Sequence, residues 1–318
     1  MEYRQLGRSG LKVSVIGLGG NPFGRRVDEA QGVAIVRRAL DLGVNVIDTA
    51  DVYADGRSEE IIGRAIRDRR DEVVLATKVG MGGGKLPNDT GSSRQHIVRS
   101  CEASLRRLGV EAIDLYQIHR FDPLTPLEET LTTLDDLVRA GKVRYIGCSN
   151  YAAWQLTEAL WISERDQLAR FVSVQPEYNL LARDVEHELM PCCVHFGVGI
   201  IPFFPLGAGV LTGKYRPGEP APEGTRGHNN PDFQRRLGGP TLDLVRRLDD
   251  WARTRGHAVG ELALAWLAAR PAVSTIIPSA TRPEQVEQNV RATDWRLTAD
   301  DLRAVANILA NTLEETRK

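Results

Sequence analysis

The feature that most constrains this chain is a repeat of short β-branched runs, each followed by a longer segment of helical period. The runs end near Gly17, Asp48, Lys78, His119, Ser149, Gln175, Phe203 and Pro278. Those at 44–48, 73–78 and 172–175 are nearly continuous in apolar residues, as strands covered on both faces require. The segments between them carry one-sided apolar stripes, such as Ile97, Cys101, Leu105 and Leu108, or Leu127, Leu131, Leu134, Leu137 and Val138. Gly43, Gly109, Gly141 and Gly197 follow the last periodic residues, where a left-handed cap ends a helix. Repeated βα units demand right-handed parallel crossovers, which leaves a closed barrel or an open doubly wound sheet. Eight similar units without a Pro/Ser-rich linker favour the barrel.

The expectation is therefore an α/β chain, a single (β/α)8 barrel domain over residues 1–318. A short hairpin over 1–14 precedes it, turning at Gly7-Arg8-Ser9-Gly10. Residues 207–240 hold many Gly and Pro and no period, and so long a loop reads as part of an active site.

With 41 Lys+Arg against 42 Asp+Glu, the formal net charge is -1. That balance lacks the basic excess that nucleic acid or an anionic membrane surface needs, so neither is expected as a partner. The first residues are not a basic segment followed by an apolar run, and no apolar stretch is long enough to span a bilayer. A cytoplasmic protein is expected. Cys101, Cys148, Cys192 and Cys193 form no C-x-x-C pair, and His195 stands without a second ligand cluster. No metal site is expected, and the thiols read as reduced.

In a parallel barrel the site forms at the carboxyl ends of the strands. Here those ends carry Asp48, Lys78, His119, Ser149-Asn150 and Gln175. Asp48 and Lys78 close neighbouring strands and should pair, because an unpartnered buried charge is expensive. Lysine is scarce in this chain, so one ending an apolar strand points to a need for an ammonium. Taken singly, each residue has an ordinary reading as a turn former, a snorkelling cation or a polar core group. Together they point to a site. Tyr53 lies five residues after Asp48, where the following loop can bring it over the mouth. A nearby ammonium should lower the phenol from its reference pKa of about 10. Tyr53 then serves as general acid to a carbonyl oxygen, with Asp48 steadying Lys78 and His119 donating to the substrate.

These residues sit in segments that resemble the aldo-keto reductase family over nearly the full chain. They are Asp48-Thr49-Ala50-Asp51-Val52-Tyr53, Ala76-Thr77-Lys78, Asp114-Leu115-Tyr116-Gln117-Ile118-His119 and Gly147-Cys148-Ser149-Asn150. Gln175-Pro176-Glu177-Tyr178-Asn179, Pro205-Leu206-Gly207 and Leu211-Thr212-Gly213-Lys214 follow in the same order. The chain is also similar to the potassium-channel β-subunit-like branch. The resemblance implies reduction of aldehydes and ketones with NADPH, giving NADP+, without a metal or flavin. It implies a catalytic tetrad of Asp48, Tyr53, Lys78 and His119, with Tyr53 the proton donor.

For the cofactor, the resemblance implies Ser149, Asn150 and Gln175 at the nicotinamide carboxamide, whose donors and acceptors they can match. It puts Phe203 on the ring, although that position suits a core aromatic equally well. Gly20 and Asn21 would also touch the cofactor, and Pro205, Leu206, Gly207, Gly209 and Lys214 would meet its pyrophosphate. Ser279, Arg282, Gln285 and Asn289 would hold its adenosine end, and Arg282 at a helix start would face a 2'-phosphate. Phe204 stands where the family often has Ser, and Ser279 where many members have Lys or Gly. Residues 17–22 are not a dinucleotide fingerprint, since Pro22 replaces the last glycine, and Ala208 and Tyr215 spoil a P-loop.

The expected protein is an NADPH-dependent reductase of a small carbonyl substrate. Asn21, Phe23, Val52, Met81, Arg120, Phe121 and the 215–240 segment would line the substrate pocket. Two other readings stand beside it: an NADPH-binding regulatory module like the channel β subunits, and a lyase or isomerase using Lys78 as a Schiff-base amine. The pattern carries no signal for an oligomeric state.

Overall fold

Two antiparallel strands, β1 (Tyr3–Gln5) and β2 (Lys12–Ser14), open the chain as the expected hairpin. Seven parallel strands follow in sequence order: β3 (Leu18–Gly19), β4 (Val46–Asp48), β5 (Val74–Val79), β6 (Ile113–Ile118), β7 (Val143–Ser149), β8 (Phe171–Gln175) and β9 (Gly199–Ile200). Between them run α1 (Glu29–Asp41), α2 (Arg57–Ile66), α3 (Arg94–Leu108), α4 (Leu127–Arg139), α5 (Ala153–Arg165) and α6 (Leu189–Phe196). After β9 come α7 (Gly239–Arg253), α8 (Val259–Ala268), α9 (Pro283–Ala292) and α10 (Ala299–Glu315). The computed structural model describes residues 1–82, 86–216, 218–223, 225, 227–228, 230, 233–234 and 237–315.

The eighth position in the sheet is filled by residues 273–279. Val273 bridges Ile200 on one side, while Ile276 and Ser279 bridge Ile16 and Gly19 on the other. The Ser274 N–H donates to the Ile200 carbonyl and the Gly17 N–H to the Ile276 carbonyl, so the sheet closes on itself. The molecule is a (β/α)8 barrel. Its last two strands are less regular than the sequence suggests: β9 ends at Ile200, and 273–279 pairs through isolated bridges. Pro202, Pro205 and Pro278 have no N–H to give a ladder.

Helix ends follow local chemistry. The Asp28 carboxylate accepts from the Gln31 N–H at the start of α1, and Ser93 does the same for His96 at α3. Gly109 and Gly197 end α3 and α6 in the left-handed conformation, and Gly43 and Gly141 adopt it one residue past the caps of α1 and α4.

Side chains alternate across the strands. Val46, Val74, Ala76, Leu115, Ile201 and Ile277 face inward and form one apolar cluster; a larger layer lies between strands and helices. Leu6 and Val13 of the hairpin join the inner cluster. Leu6 is fully buried, which contributes roughly 1.5–3 kcal/mol. At the turn, Gly7 has a φ of +56°, and a Cβ there would come within 2.6 Å of the Val172 carbonyl oxygen. Only glycine fits. Arg8 donates through its backbone to Gly197, and the Arg4 guanidinium to the Val273 and Ala268 carbonyls. Val172 and Gly197 lie at or just before strand starts, so the hairpin seals the amino end of the barrel. The carboxyl end is left open.

The long-loop expectation over 207–240 is covered in part. Residues 217, 224, 226, 229, 231–232 and 235–236 lie outside the described residues. The loop's first six residues, Gly207–Thr212, form short turns on either side of a left-handed kink at Ala208 and Gly209 rather than running without structure. Among the described residues no helix is long and apolar enough to cross a membrane, and no group of three or more metal-ligating side chains comes together.

Candidate active site

The period of two along each strand turns Asp48, Lys78, Gln117 and Gln175 inward, one layer above the apolar interior. All four are buried. Lys78 Nζ donates to Asp48 Oδ2 at 2.6 Å and to the Thr49 carbonyl at 2.7 Å. The other Asp48 oxygen accepts from Gln175 Nε2 at 2.9 Å and Gln117 Nε2 at 3.3 Å. This carboxylate is saturated with donors. That arrangement suits a buried ion pair, which is tolerable only when every charge and lone pair is satisfied.

The loop after β4 returns Tyr53 to this cluster, half-buried. Its ring centroid lies 5.2 Å from Lys78 Nζ and 5.9 Å from the His119 ring, edge to face. Tyr53, Lys78, Asp48 and His119 are therefore brought together. Burial pulls the Lys78 ammonium down, but Asp48, bonded to it, and the neighbouring Tyr53 carry it above its ordinary value. It stays charged.

The expected acidity of Tyr53 needs correcting. Burial raises the phenol, the Lys78 ammonium opposes that rise and the Asp48 carboxylate adds to it, so the net direction is upward. One ammonium shared with a carboxylate does not offset the loss of water. The phenol therefore holds its proton until an acceptor arrives. His119 is driven the other way, down to about 3, by burial first and then by the Lys78 and Arg120 charges. Its imidazole is neutral, and its buried Nδ1 has no hydrogen-bond partner among the described residues.

A cavity of about 810 Å³ opens at the loop after β3, and none of Asp48, Tyr53, Lys78 and His119 lines it. Of the residues expected at a cofactor, Asn21, Pro205, Leu206, Gly209, Lys214, Ser279, Arg282, Gln285 and Asn289 line it. The link to the tetrad is the loop after β3: the Gly20 N–H donates to the Asp48 carbonyl at 2.7 Å, and the next residue opens onto the cavity. Gly207 and Gly209 have φ of +56° and +105°, Ala208 between them is also left-handed, and the Gly207 and Gly209 N–H groups donate to the Phe204 and Leu206 carbonyls at 2.8 Å. Lys214, Arg282 and Arg26 line the cavity without an ion pair among the described residues, and Glu223 is the carboxylate on its wall. Gln285 accepts from the Thr281 N–H at 2.7 Å and so closes the start of α9.

Six expected contacts fall outside the cavity wall: Gly20, Ser149, Asn150, Gln175, Phe203 and Gly207. Gly20 is packed against Asp48. The donors of the three polar residues are committed within the protein. Ser149 Oγ donates to the Gln175 carbonyl, Asn150 Nδ2 to the His119 carbonyl and Ser149 Oγ, and Gln175 Nε2 to Asp48 and Gln117. What they keep for a carboxamide is acceptor capacity, not the mixture of donors and acceptors expected. Phe203 packs on the inner apolar cluster, while its neighbour Phe204, in the left-handed region and edge to face with it at 5.2 Å, reaches the cavity. Phe23, expected at a substrate pocket, is fully buried in the outer layer.

Sequence reading missed Gln117, although its place two residues before His119 puts it on the same strand face. It also missed Arg26 and Gln288 on the cavity wall, for which no local pattern existed, whereas Glu223 and Thr225 there belong to the segment expected to line a pocket.

The barrel's open end brings together a phenol, a carboxylate-held ammonium and a neutral imidazole, and the family this chain falls in is one of oxidoreductases acting on carbonyls. Residues 15–310 match the Aldo/keto reductase family, and the chain belongs to it. It is 40% identical over 301 residues to a probable voltage-gated potassium channel subunit beta of Arabidopsis thaliana, covering 92% of each chain. It is 34% identical to aldo-keto reductase YhdN of Bacillus subtilis, over 99% of this chain and 96% of that one. L-glyceraldehyde 3-phosphate reductase of Escherichia coli strain K12 is 36% identical, over 92% and 87% respectively.

Proposed function

We propose that this chain reduces a small aldehyde or ketone with NADPH, with Tyr53 as the proton donor. The observation that carries the reading is the Tyr53 ring held 5.2 Å from the Lys78 ammonium, which is itself bonded to Asp48, with the His119 ring edge to face beside it. When bound, NADPH supplies a hydride to the carbonyl carbon. Tyr53 gives its proton to the carbonyl oxygen, and Lys78 stabilises the phenolate left behind. The product is the alcohol, and the phenol regains its proton from solvent. Asp48 keeps Lys78 charged and in place, and neutral His119 can donate to the same oxygen, holding the carbonyl toward Tyr53.

The residues present fit the cofactor by their chemistry. Lys214 and Arg282 are cations on the cavity wall without ion pairs among the described residues, as a pyrophosphate and a 2'-phosphate need. The open lone pairs of Asn150 and Gln175 suit the N–H groups of a carboxamide. Gly20 and Gly207 shape the backbone beside the site, and Phe203 supports Phe204. The same reading covers a single barrel domain over 1–318 and a cytoplasmic location, which the free thiols Cys101, Cys148, Cys192 and Cys193 favour.

Tyr53→Phe is the direct test. Carbonyl-dependent NADPH oxidation should fall by about 10²–10⁴-fold while NADPH still quenches the protein's fluorescence on binding. Turnover near that of the parent protein would refute the assignment. A second reading, an NADPH-binding regulatory module with incidental turnover, is favoured by the 40% identity to the Arabidopsis channel subunit. It requires that no aldehyde or ketone in a broad panel be turned over efficiently.

A further inference from the structure

The loop that delivers Tyr53 carries a second carboxyl group, Asp51. Its backbone N–H donates to the Lys78 carbonyl at 3.2 Å, which ties the loop to the strand bearing the ammonium. Its Oδ1 is shielded from solvent and has no hydrogen-bond partner among the described residues. Close behind it on α2 is Glu59, fully buried. That second carboxylate is fully engaged: it accepts from Thr77 Oγ1 at 2.6 Å and from Arg107 Nε at 2.7 Å. The protein thus commits the Arg107 guanidinium to Glu59 and leaves Asp51 without a bonded counterpart among the described residues.

The groups that face Asp51 come from every element around it. They are Glu59 of α2, Arg107 of α3, Lys78 of β5, Tyr116 of β6 and Tyr53 on its own loop. Asp51 is bonded through its N–H to the residue whose ammonium lies 5.2 Å from the Tyr53 ring, so both side chains lie within that charge's field.

We propose that Asp51 is a positioning residue for proton transfer at Tyr53: ionised, it competes for Lys78 and opposes the phenolate; protonated, it leaves Lys78 to the phenol. The claim rests on the reading of Tyr53 as the proton donor. Burial, and then the Glu59 charge, lift the Asp51 carboxyl to about 7, against the Val52 N–H and the Arg107 and Lys78 charges. The change of state consequently falls near neutral pH. Above that point the ionised carboxylate keeps the phenol protonated further into the alkaline range.

The test is a near-ultraviolet absorbance titration of the phenols in protein free of cofactor. Subtracting the same titration in a Tyr53→Phe background isolates Tyr53. Asp51→Asn should bring Tyr53 ionisation down by about half a pH unit or more, and the alkaline limb of the carbonyl-reduction rate should move with it. Asp51→Glu, which restores the charge, should move both back toward the parent. A Tyr53 titration unmoved in Asp51→Asn overturns the proposal, even if the rate falls, because a loop merely loosened would lower the rate without shifting the phenol. Asp51→Ser serves the same purpose if the Asn variant does not fold. The titration needs no turnover, so a shifted phenol in a protein without reductase activity would sink the proposed function and leave the Asp51–Tyr53 coupling standing.

Discussion

Two aspartates at opposite ends of the barrel show how differently its ends are built. Asp114, low on β6, is 2% exposed, forms an ion pair with Arg70 at 2.7 Å and accepts from Arg144 at 2.6 Å and the Leu75 N–H at 2.8 Å. Asp51, above β4, has a shielded oxygen with no hydrogen-bond partner among the described residues. Beside the sealed amino end the carboxylate is satisfied and serves stability. At the open end charge is left in tension: a raised phenol, a neutral imidazole with an idle nitrogen, cations on the cavity wall without ion pairs among the described residues. A fold can carry that tension because the stabilising contacts are made elsewhere.

The contrast can be broken most sharply at Lys78. Lys78→Met removes the ammonium and strands the Asp48 carboxylate, so it should abolish reduction and also cost about 3–5 kcal/mol of stability by chemical denaturation. A stable Lys78→Met protein would mean Asp48 is better solvated than its 3% exposure implies. Asp114→Asn is the counterpart at the other end. Because the Arg144 side chain is 60% exposed, its freed charge is partly hydrated, and the cost should stay near 1–3 kcal/mol. Turnover per folded molecule should not change. Loss of activity without loss of stability would contradict the division between the two ends.

Arg282→Ala addresses the cavity wall. NADPH affinity should weaken about tenfold or more, with little effect on NADH, since a charge-assisted contact contributes about 1.5–3 kcal/mol. Equal losses for the two would mean that Arg282 does not meet the 2'-phosphate.

The last test is of pH dependence. The folded His119 value of about 3 lies below its ordinary 6.5, so the unfolded chain takes up this proton first as pH falls. Stability from neutral His119 is complete above about 6.5 and is lost progressively toward about 3. Denaturation midpoints of the parent should therefore drop relative to His119→Gln across that window. Parallel curves would show that His119 titrates alike in both states.

Much of the site was legible because burying a charge constrains sequence. Asp48 and Lys78 had to be partners, since neither could end an apolar strand alone. The barrel was legible for a related reason: doubly covered strands and one-sided helices leave few ways to stack. Other features were not. Phe204, not Phe203, reaches the cavity, because prolines on both sides break the strand alternation that would have assigned the pair. The direction of the Tyr53 shift was also missed, since a named partner can be read from a motif but the water lost around a group cannot.

The order of residues along this chain was enough to specify its repeating units, the hairpin before them and the partners that meet at the strand ends. Those follow from local rules: period, capping and the cost of an unpaired charge. How acidic each group becomes, which amide donors are already committed, and that Arg107 pairs with Glu59 while Asp51 goes without, emerged only from packing. Desolvation and hydrogen-bond competition are sums over neighbours from distant parts of the chain, and no single segment contains them.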